Sequence, residues 1–186
     1  MKEERLYIVG YMASGKSTFG RALAEKTGWK FIDLDSEIEK KAGTKIPQLI
    51  AERGEAAFRE LEGAALRQTA SECKTVIACG GGTPCFRDNM EFMTLHGMTL
   101  WLIATPERIA ERILEAGDTR PLVAGMEKPH LLDFVRKHLL QRQHHYCKAS
   151  MRFSGERLED KARIDESVEK FLDEFDFLRP EIKRHE

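Results

Sequence analysis

The chain has 186 residues, 41% of them hydrophobic and 33% charged, with Lys+Arg 30 against Asp+Glu 31 and a net charge of −1. That length suits one domain, able to bury about 70% of the surface its unfolded form exposes, so neither disulfides nor a structural metal is needed for folding. So even a charge balance offers no global field to a polyanion, which argues against nucleic-acid binding and leaves any bound anion to local geometry.

No uncharged stretch approaches the ~18 residues of a membrane span, and residues 1–5 lead into a short apolar run without a signal-peptide layout. A cytoplasmic protein that touches no membrane is expected. Cys73, Cys79, Cys85 and Cys147 form no CxxC pair, and the six histidines add no metal-ligand spacing. Four reduced thiols are expected, with no zinc site. His144 and His145 are adjacent, and on a helix neighbours point about 100° apart, which does not converge them on one metal.

In chain order, Leu6–Val9 reads as a buried strand ending at Gly10, and 16–26 as a helix closed by Gly28. Phe31–Asp35 reads as a second strand ending in acids, and 36–42 as a short helix stopped near Gly43. A long helical pattern runs over 47–70, with Leu49, Phe58, Leu61, Ala65 and Leu66 as its apolar members. Thr75–Cys79 is a third strand, ended by Gly80, Gly81 and Gly82; 88–95 is helical, and 98–104 is a fourth strand. Thr105, Pro106 and Glu107 supply an N-cap, a first-turn proline and a first-turn acid for a helix to about Glu115. The stretch 116–129, with two glycines and two prolines, reads as a mobile loop. A helix over 130–148, a short strand at 151–153 and a closing helix with Ile164, Val168, Phe171, Leu172 and Phe175 on one face complete the chain, before a charged tail.

Strands alternating with helices predict βαβ units, a parallel sheet and helices on both faces. In such sheets ligands lie beyond the carboxyl ends of the strands. The glycines and acids of this chain gather at those ends.

The segment 10–17, GYMASGKS, matches GxxxxGK(S/T). Its glycines let successive backbone N–H groups face one anion, and the helix that follows adds its positive end. Lys16 can reach the β- and γ-phosphates, and the Ser17 hydroxyl can ligate Mg²⁺. Asp33 and Asp35, two apart in extended chain, face one way and can divide metal support and hydroxyl orientation, or one of them can simply cap the next helix. Arg59 by itself is an i,i+4 surface partner of Glu55, and Arg142 by itself a solvated residue on a basic helix face. Arg120, before Pro121 in the loop, is a candidate transition-state clamp, with Arg112 on the helix feeding that loop. The three glycines are either a tight turn or a surface that a substrate approaches closely.

Together these residues resemble the shikimate kinases. The anchors are GYMASGKST (10–18), FIDLD (31–35), ERGEAAFRELE (52–62), VIACGGGTPC (76–85), TRPL (119–122) and the pair Arg142 and Tyr146, spread over about residues 6–175. The resemblance implies an α/β fold, a three-layer P-loop kinase of the nucleoside-monophosphate-kinase type with a five-stranded parallel sheet. It implies one domain over 1–178, an acceptor region near 34–62, a lid near 115–128 and a tail at 179–186. It further implies ATP, Mg²⁺ and phosphorylation of the 3-hydroxyl of shikimate in chorismate biosynthesis, by a monomer.

By position, the resemblance places Ala13, Ser14, Gly15, Lys16, Ser17 and Thr18 around the ATP phosphates, with Arg112 on adenine and Arg120 at the phosphates. Asp35 would bind the ring hydroxyls and orient the nucleophile. Arg59 and Arg142 would clamp the substrate carboxylate, Gly81 would make a backbone contact, and Ser17 and Asp33 would stand on the magnesium side. Gln143, His144 and His145 depart from the family, which usually has a small or apolar residue and a proline between the arginine and the tyrosine. Another small-molecule P-loop kinase, such as a gluconate kinase, and a catalytically silent nucleotide-binding protein are the alternatives. A guanine-reading NKxD stretch is missing, which disfavours a GTPase switch.

Overall fold

The structure, a computed structural model, describes residues 4–117, 126–175 and 178. Arg120, most of the expected lid and the tail at 179–186 lie outside the described residues. Five strands, β1 (Arg5–Val9), β2 (Lys30–Asp33), β3 (Thr75–Ala78), β4 (Met98–Ile103) and β5 (Met151–Ser154), form one sheet in the order β2-β3-β1-β4-β5. Every pairing is parallel.

Helices α1 (Lys16–Thr27) and α7 (Lys161–Glu174) cover one face. Helices α3 (Ile46–Gln68), α4 (Asn89–His96), α5 (Pro106–Glu115) and α6 (Lys128–Tyr146) cover the other, with α2 (Leu34–Ala42) packed on α3. The period-2 geometry of a strand sorts β1 between two cores. Leu6 and Ile8 join Phe19, Leu23, Val168 and Phe171, whereas Tyr7 and Val9 join Leu66, Ile109, Leu131 and Val135. All of β1 is buried, as a central parallel strand requires. Among the described residues no helix is long and apolar enough to cross a membrane.

The elements follow the expected order, with three corrections. The second strand ends at Asp33, not Asp35, because the Asp33 carboxylate accepts from Ser36 N at 3.3 Å and so caps α2. Asp35 therefore lies in a first helical turn, and the same-face argument for an extended pair does not apply to it. The long helical pattern is broken at Gly54, whose φ of 82° and ψ of 161° interrupt α3. Leu61, expected among the apolar members of that helix, is 38% exposed.

The break at Gly54 uses backbone space open essentially to glycine alone. A Cβ there would meet nothing within 4 Å, so a substitution strains only the main chain. Gly54→Ala is expected to destabilise by about 1–3 kcal/mol, a fall in Tm of roughly 3–10 °C for a chain of this size. Gly43→Ala, at a left-handed helix end with equally open surroundings, should lose less. Thermal unfolding followed by circular dichroism compares the two, and equal losses would contradict the assignment of strain to Gly54.

Candidate active site

The central strand β1 delivers the chain to Gly10, which has φ 143° and where a Cβ would lie 2.6 Å from the Leu102 carbonyl oxygen. Only glycine fits that turn. Gly15, at φ 97°, precedes α1, which has neither a side-chain cap nor an acid in its first turn. Its positive end is left for an anion, as its orphan N–H groups and dipole favour. Lys16 is buried and donates from Nζ to the Tyr11 carbonyl at 2.7 Å. The Ser14 hydroxyl is buried in the same loop with no hydrogen-bond partner among the described residues. Ser17 Oγ donates to Asp33 Oδ2 at 2.5 Å. One aspartate thus both caps α2 and holds the hydroxyl that follows the loop lysine.

Beside the loop lies a cavity of about 630 Å³, lined among others by Ala13, Thr18, Arg108, Arg112 and Leu158. Arg112 donates to the Ala13 and Ser14 carbonyls at 3.4 and 3.2 Å and to the Glu156 carbonyl at 3.0 Å. It ties the phosphate loop to the segment after β5 and at the same time walls the cavity.

Because β3 pairs directly with β1, the three glycines ending β3 stand against the phosphate loop. A Cβ on Gly81 would be 3.1 Å from Met12 N, one on Gly80 2.7 Å from Asp35 Oδ1, and one on Gly82 2.6 Å from an Arg59 guanidinium nitrogen. Each glycine makes room for a different neighbour. Arg59 donates to Glu62 at 2.7 Å and to Glu55 at 3.2 Å, and Glu62, wholly buried, also accepts from Thr83 Oγ1 at 2.6 Å. The i,i+4 pair with Glu55 exists, but the shorter bond to buried Glu62 is the one that aims the guanidinium at the glycines.

Arg142, on α6, lies with its guanidinium carbon 6.0 Å from the Tyr11 ring centroid. One turn later the Tyr146 hydroxyl donates to the Gly81 carbonyl at 2.6 Å. Burial pushes the Cys85 thiol pKa up, and the charges of Arg142 and Arg59 both pull against that rise. Two arginines from separate helices, α3 and α6, thus act on one half-buried thiol. Burial, reinforced by Asp33 and opposed by Lys16, raises Asp35 to about 6.

Asp35 and Arg59 thus lie against the glycine run, at Gly80 and Gly82, α6 bonds Gly81 one turn after Arg142, and Ser17 and Asp33 bond each other beside the loop lysine. The unusual residues Gln143, His144 and His145 leave α6 helical through Tyr146. Among the described residues no cluster of His, Cys, Asp and Glu suggests a metal centre of its own. Glu62, Thr83 and Tyr11 were not singled out from sequence. Glu62 had a usable signal, standing three residues after Arg59 on a helix, but a carboxylate there reads as solvated until its burial is known.

A parallel sheet whose central strand turns through a phosphate loop into α1, with acids after β2 and an arginine against the glycines that end β3, defines a P-loop small-molecule kinase. The shikimate kinase family model matches residues 12–175. A shikimate kinase from Bacteroides thetaiotaomicron is 42% identical over 166 residues, 89% of this chain and 95% of the relative, and one from Gloeobacter violaceus is 39% identical over 155 residues, 83% of this chain and 85% of the relative. The crystal structure of a shikimate kinase from B. thetaiotaomicron superimposes with a TM-score of 0.89 at 40% identity, covering 93% of this chain and 98% of that one. A shikimate kinase from Acinetobacter baumannii, solved in complex with shikimate, gives 0.81 at 31% identity over 93% of each chain. A gluconokinase from Sinorhizobium meliloti, at 17% identity and a TM-score of 0.55, shares the fold alone. The chain belongs to the shikimate kinase family.

The lifted Asp35 carboxyl has a consequence for stability. Its folded pKa of about 6 exceeds the unfolded value of about 3.9, so the folded chain holds the proton more tightly. The stability conferred by protonated Asp35 is complete below about pH 4 and lost as pH rises to about 6 and above. In metal-free protein Asp35→Asn should therefore be more stable than the parent by about 1–3 kcal/mol at pH 7.5, with the advantage shrinking towards pH 4.5. Urea unfolding at the two pH values tests this; an Asn variant less stable at pH 7.5 would contradict the burial of a charged Asp35.

Proposed function

We propose that the protein transfers the γ-phosphoryl group of ATP to the 3-hydroxyl of shikimate, releasing ADP and shikimate 3-phosphate. What supports this reading is that Asp35 and Arg59 lie against the glycine run beside the phosphate loop, while the helix that carries Arg142 bonds Gly81 one turn later. A small acid with ring hydroxyls matches that set. Guanidinium forks bind a carboxylate bidentately, and a carboxylate at Asp35 accepts from a hydroxyl.

On this reading Ala13 to Thr18 surround the ATP phosphates, and the ammonium of Lys16 neutralises charge that gathers on the transferred group. Ionised Asp35 holds and orients the attacking hydroxyl. Arg59 and Arg142 fix the far end of the ring, so that the hydroxyl is presented at one distance from the phosphorus rather than many. Gly81 lets the ring approach the backbone. Arg112 walls the adenine side, and Arg120 is assigned to the phosphates as the lid arginine.

The oxygen pair of Ser17 and Asp33, bonded to each other at the start of α1, has the hard donors that Mg²⁺ takes, and these two residues would hold it. Held there, the metal would supply neutralisation of the phosphoryl charge. The expected setting is a monomer in the cytoplasm with small-molecule partners.

The deciding experiment offers shikimate and gluconate side by side with Mg-ATP. Turnover is expected with shikimate only, and comparable turnover of gluconate would overturn the assignment. Lys16→Ala should fold normally yet keep less than about a tenth of the parent kcat. Arg59→Ala should raise the KM for shikimate by about 30-fold or more, the equivalent of losing about 2–4 kcal/mol at a carboxylate left half-paired, while the KM for ATP changes far less. Initial rates at varied concentrations of each substrate read both effects.

A further inference from the structure

Helix α6 grips the phosphate loop through two side chains that the roles above leave unused. Tyr11, the second residue of the loop, is 1% exposed. Its hydroxyl shares a hydrogen bond of 2.9 Å with His138 Nδ1, and its ring meets the imidazole edge-on, with centroids 5.6 Å apart at 88°. Phe134 also packs on that imidazole, tilted at 56° with 5.2 Å between centroids. His138, Arg142 and Tyr146 follow one another at intervals of four and so occupy one stripe of α6. The stripe is pinned on both sides of Arg142, by His138 to Tyr11 one turn before and by Tyr146 to Gly81 one turn after. Tyr11 is engaged through its main chain too. Its carbonyl accepts from Lys16 Nζ at 2.7 Å and from Ser14 N at 3.3 Å. A single residue thus meets Lys16 with its backbone, His138 with its hydroxyl and Arg142 with its ring.

We infer that Tyr11 and His138 are positioning residues for the acceptor, their hydrogen bond setting how far α6, and with it Arg142, stands from Lys16. The inference rests on the reading of Arg142 as a carboxylate clamp. Arginine has many rotamers, so its guanidinium is only as well placed as the helix and the ring beneath it. A reacting hydroxyl misplaced by about 1 Å loses about 10²-fold in rate, so a clamp at the far end of the ring needs a fixed distance to the phosphate loop. A buried tyrosine hydroxyl needs a partner, and His138 meets that need from the helix that carries the clamp.

The test uses Tyr11→Phe, His138→Phe, the double variant and His138→Gln, with Arg142→Ala as reference, in steady-state assays with shikimate and Mg-ATP. Tyr11→Phe keeps the ring and its packing, so the fold is retained. Each single Phe variant should raise the KM for shikimate about 5–30-fold, the loss expected for one buried hydrogen bond, with the KM for ATP within about twofold of the parent. The double variant should be no worse than the more affected single one, because both remove the same bond. His138→Gln, which keeps a hydrogen-bonding side chain, should recover most of the loss. If the two KM values rise together, or the effects of the two Phe variants simply add, the pair is a packing contact and the inference is wrong. A large acceptor defect in Arg142→Ala with a normal Tyr11→Phe overturns the inference alone. No acceptor defect in Arg142→Ala overturns the carboxylate clamp and the inference with it.

Discussion

Everything in the site depends on how closely the ends of β1 and β3 approach one another. The two strands pair directly, Ile8 opposite Ala78, so the phosphate loop and the glycine run emerge side by side. At Gly81 the gap is so narrow that a single Cβ would press on Met12 N. That closeness sets the phosphate loop against the glycine run, with Asp35 and Arg59 on the far side of the same glycines. Group transfer between two bound molecules needs this, because orientation and proximity carry much of the rate when the protein does little covalent chemistry. Moving the two strands apart by one position in the sheet would leave both half-sites intact and useless to each other.

The charges around this junction are local solutions in a chain with a net charge of only −1. Glu62 has no exposed surface, yet it is matched on both oxygens, by Arg59 and by Thr83. Buried ion pairs of this kind are weak evidence for stability, since desolvation offsets most of the attraction. What Glu62 does secure is a direction for the Arg59 guanidinium, held against Gly82 before any ligand arrives. Asp35 stands at the other extreme, with burial and the neighbouring Asp33 both opposing its charge. The fold therefore gives up stability to hold a carboxylate poised to accept a proton or a hydrogen bond.

The cavity next to the loop is organised by backbone acceptors. Arg112 reaches two carbonyls of the phosphate loop and one of the segment after β5. Gly155 permits that segment to come close, since a Cβ there would stand 2.5 Å from the Ser14 carbonyl oxygen. Loop, arginine and last strand end are thus tied together, and α6 fastens to the loop at Tyr11 and to the glycine run at Gly81. A helix joined at both places cannot shift without disturbing the loop or the glycines.

The local signals in the chain were enough for the order of elements, the parallel sheet, the phosphate loop and the helix ends at Gly28, Gly43 and Thr105, because strand period, helix caps and a loop that must turn through glycine are properties of neighbouring residues. Ordered motifs at characteristic separations were enough for the family. Where local signals compete, the tertiary structure decided. Asp33 and Asp35 read equally well as strand-end neighbours or as caps, and only the folded chain puts Asp33 on the Ser36 N–H and the Ser17 hydroxyl at once, with Asp35 in the first turn of the helix. Gly54 sits in a pattern that reads as one helix, and its positive φ is a matter of how two helical pieces meet the core. Glu62 and Tyr11 could not be assigned from sequence because burial and long-range partners define them: a glutamate three residues after an arginine looks solvated, and a tyrosine in a glycine-rich loop gives no sign of a histidine 127 positions away. Sequence separation carries no distance, and contacts between helix, loop and strand end exist only once the sheet has set their places.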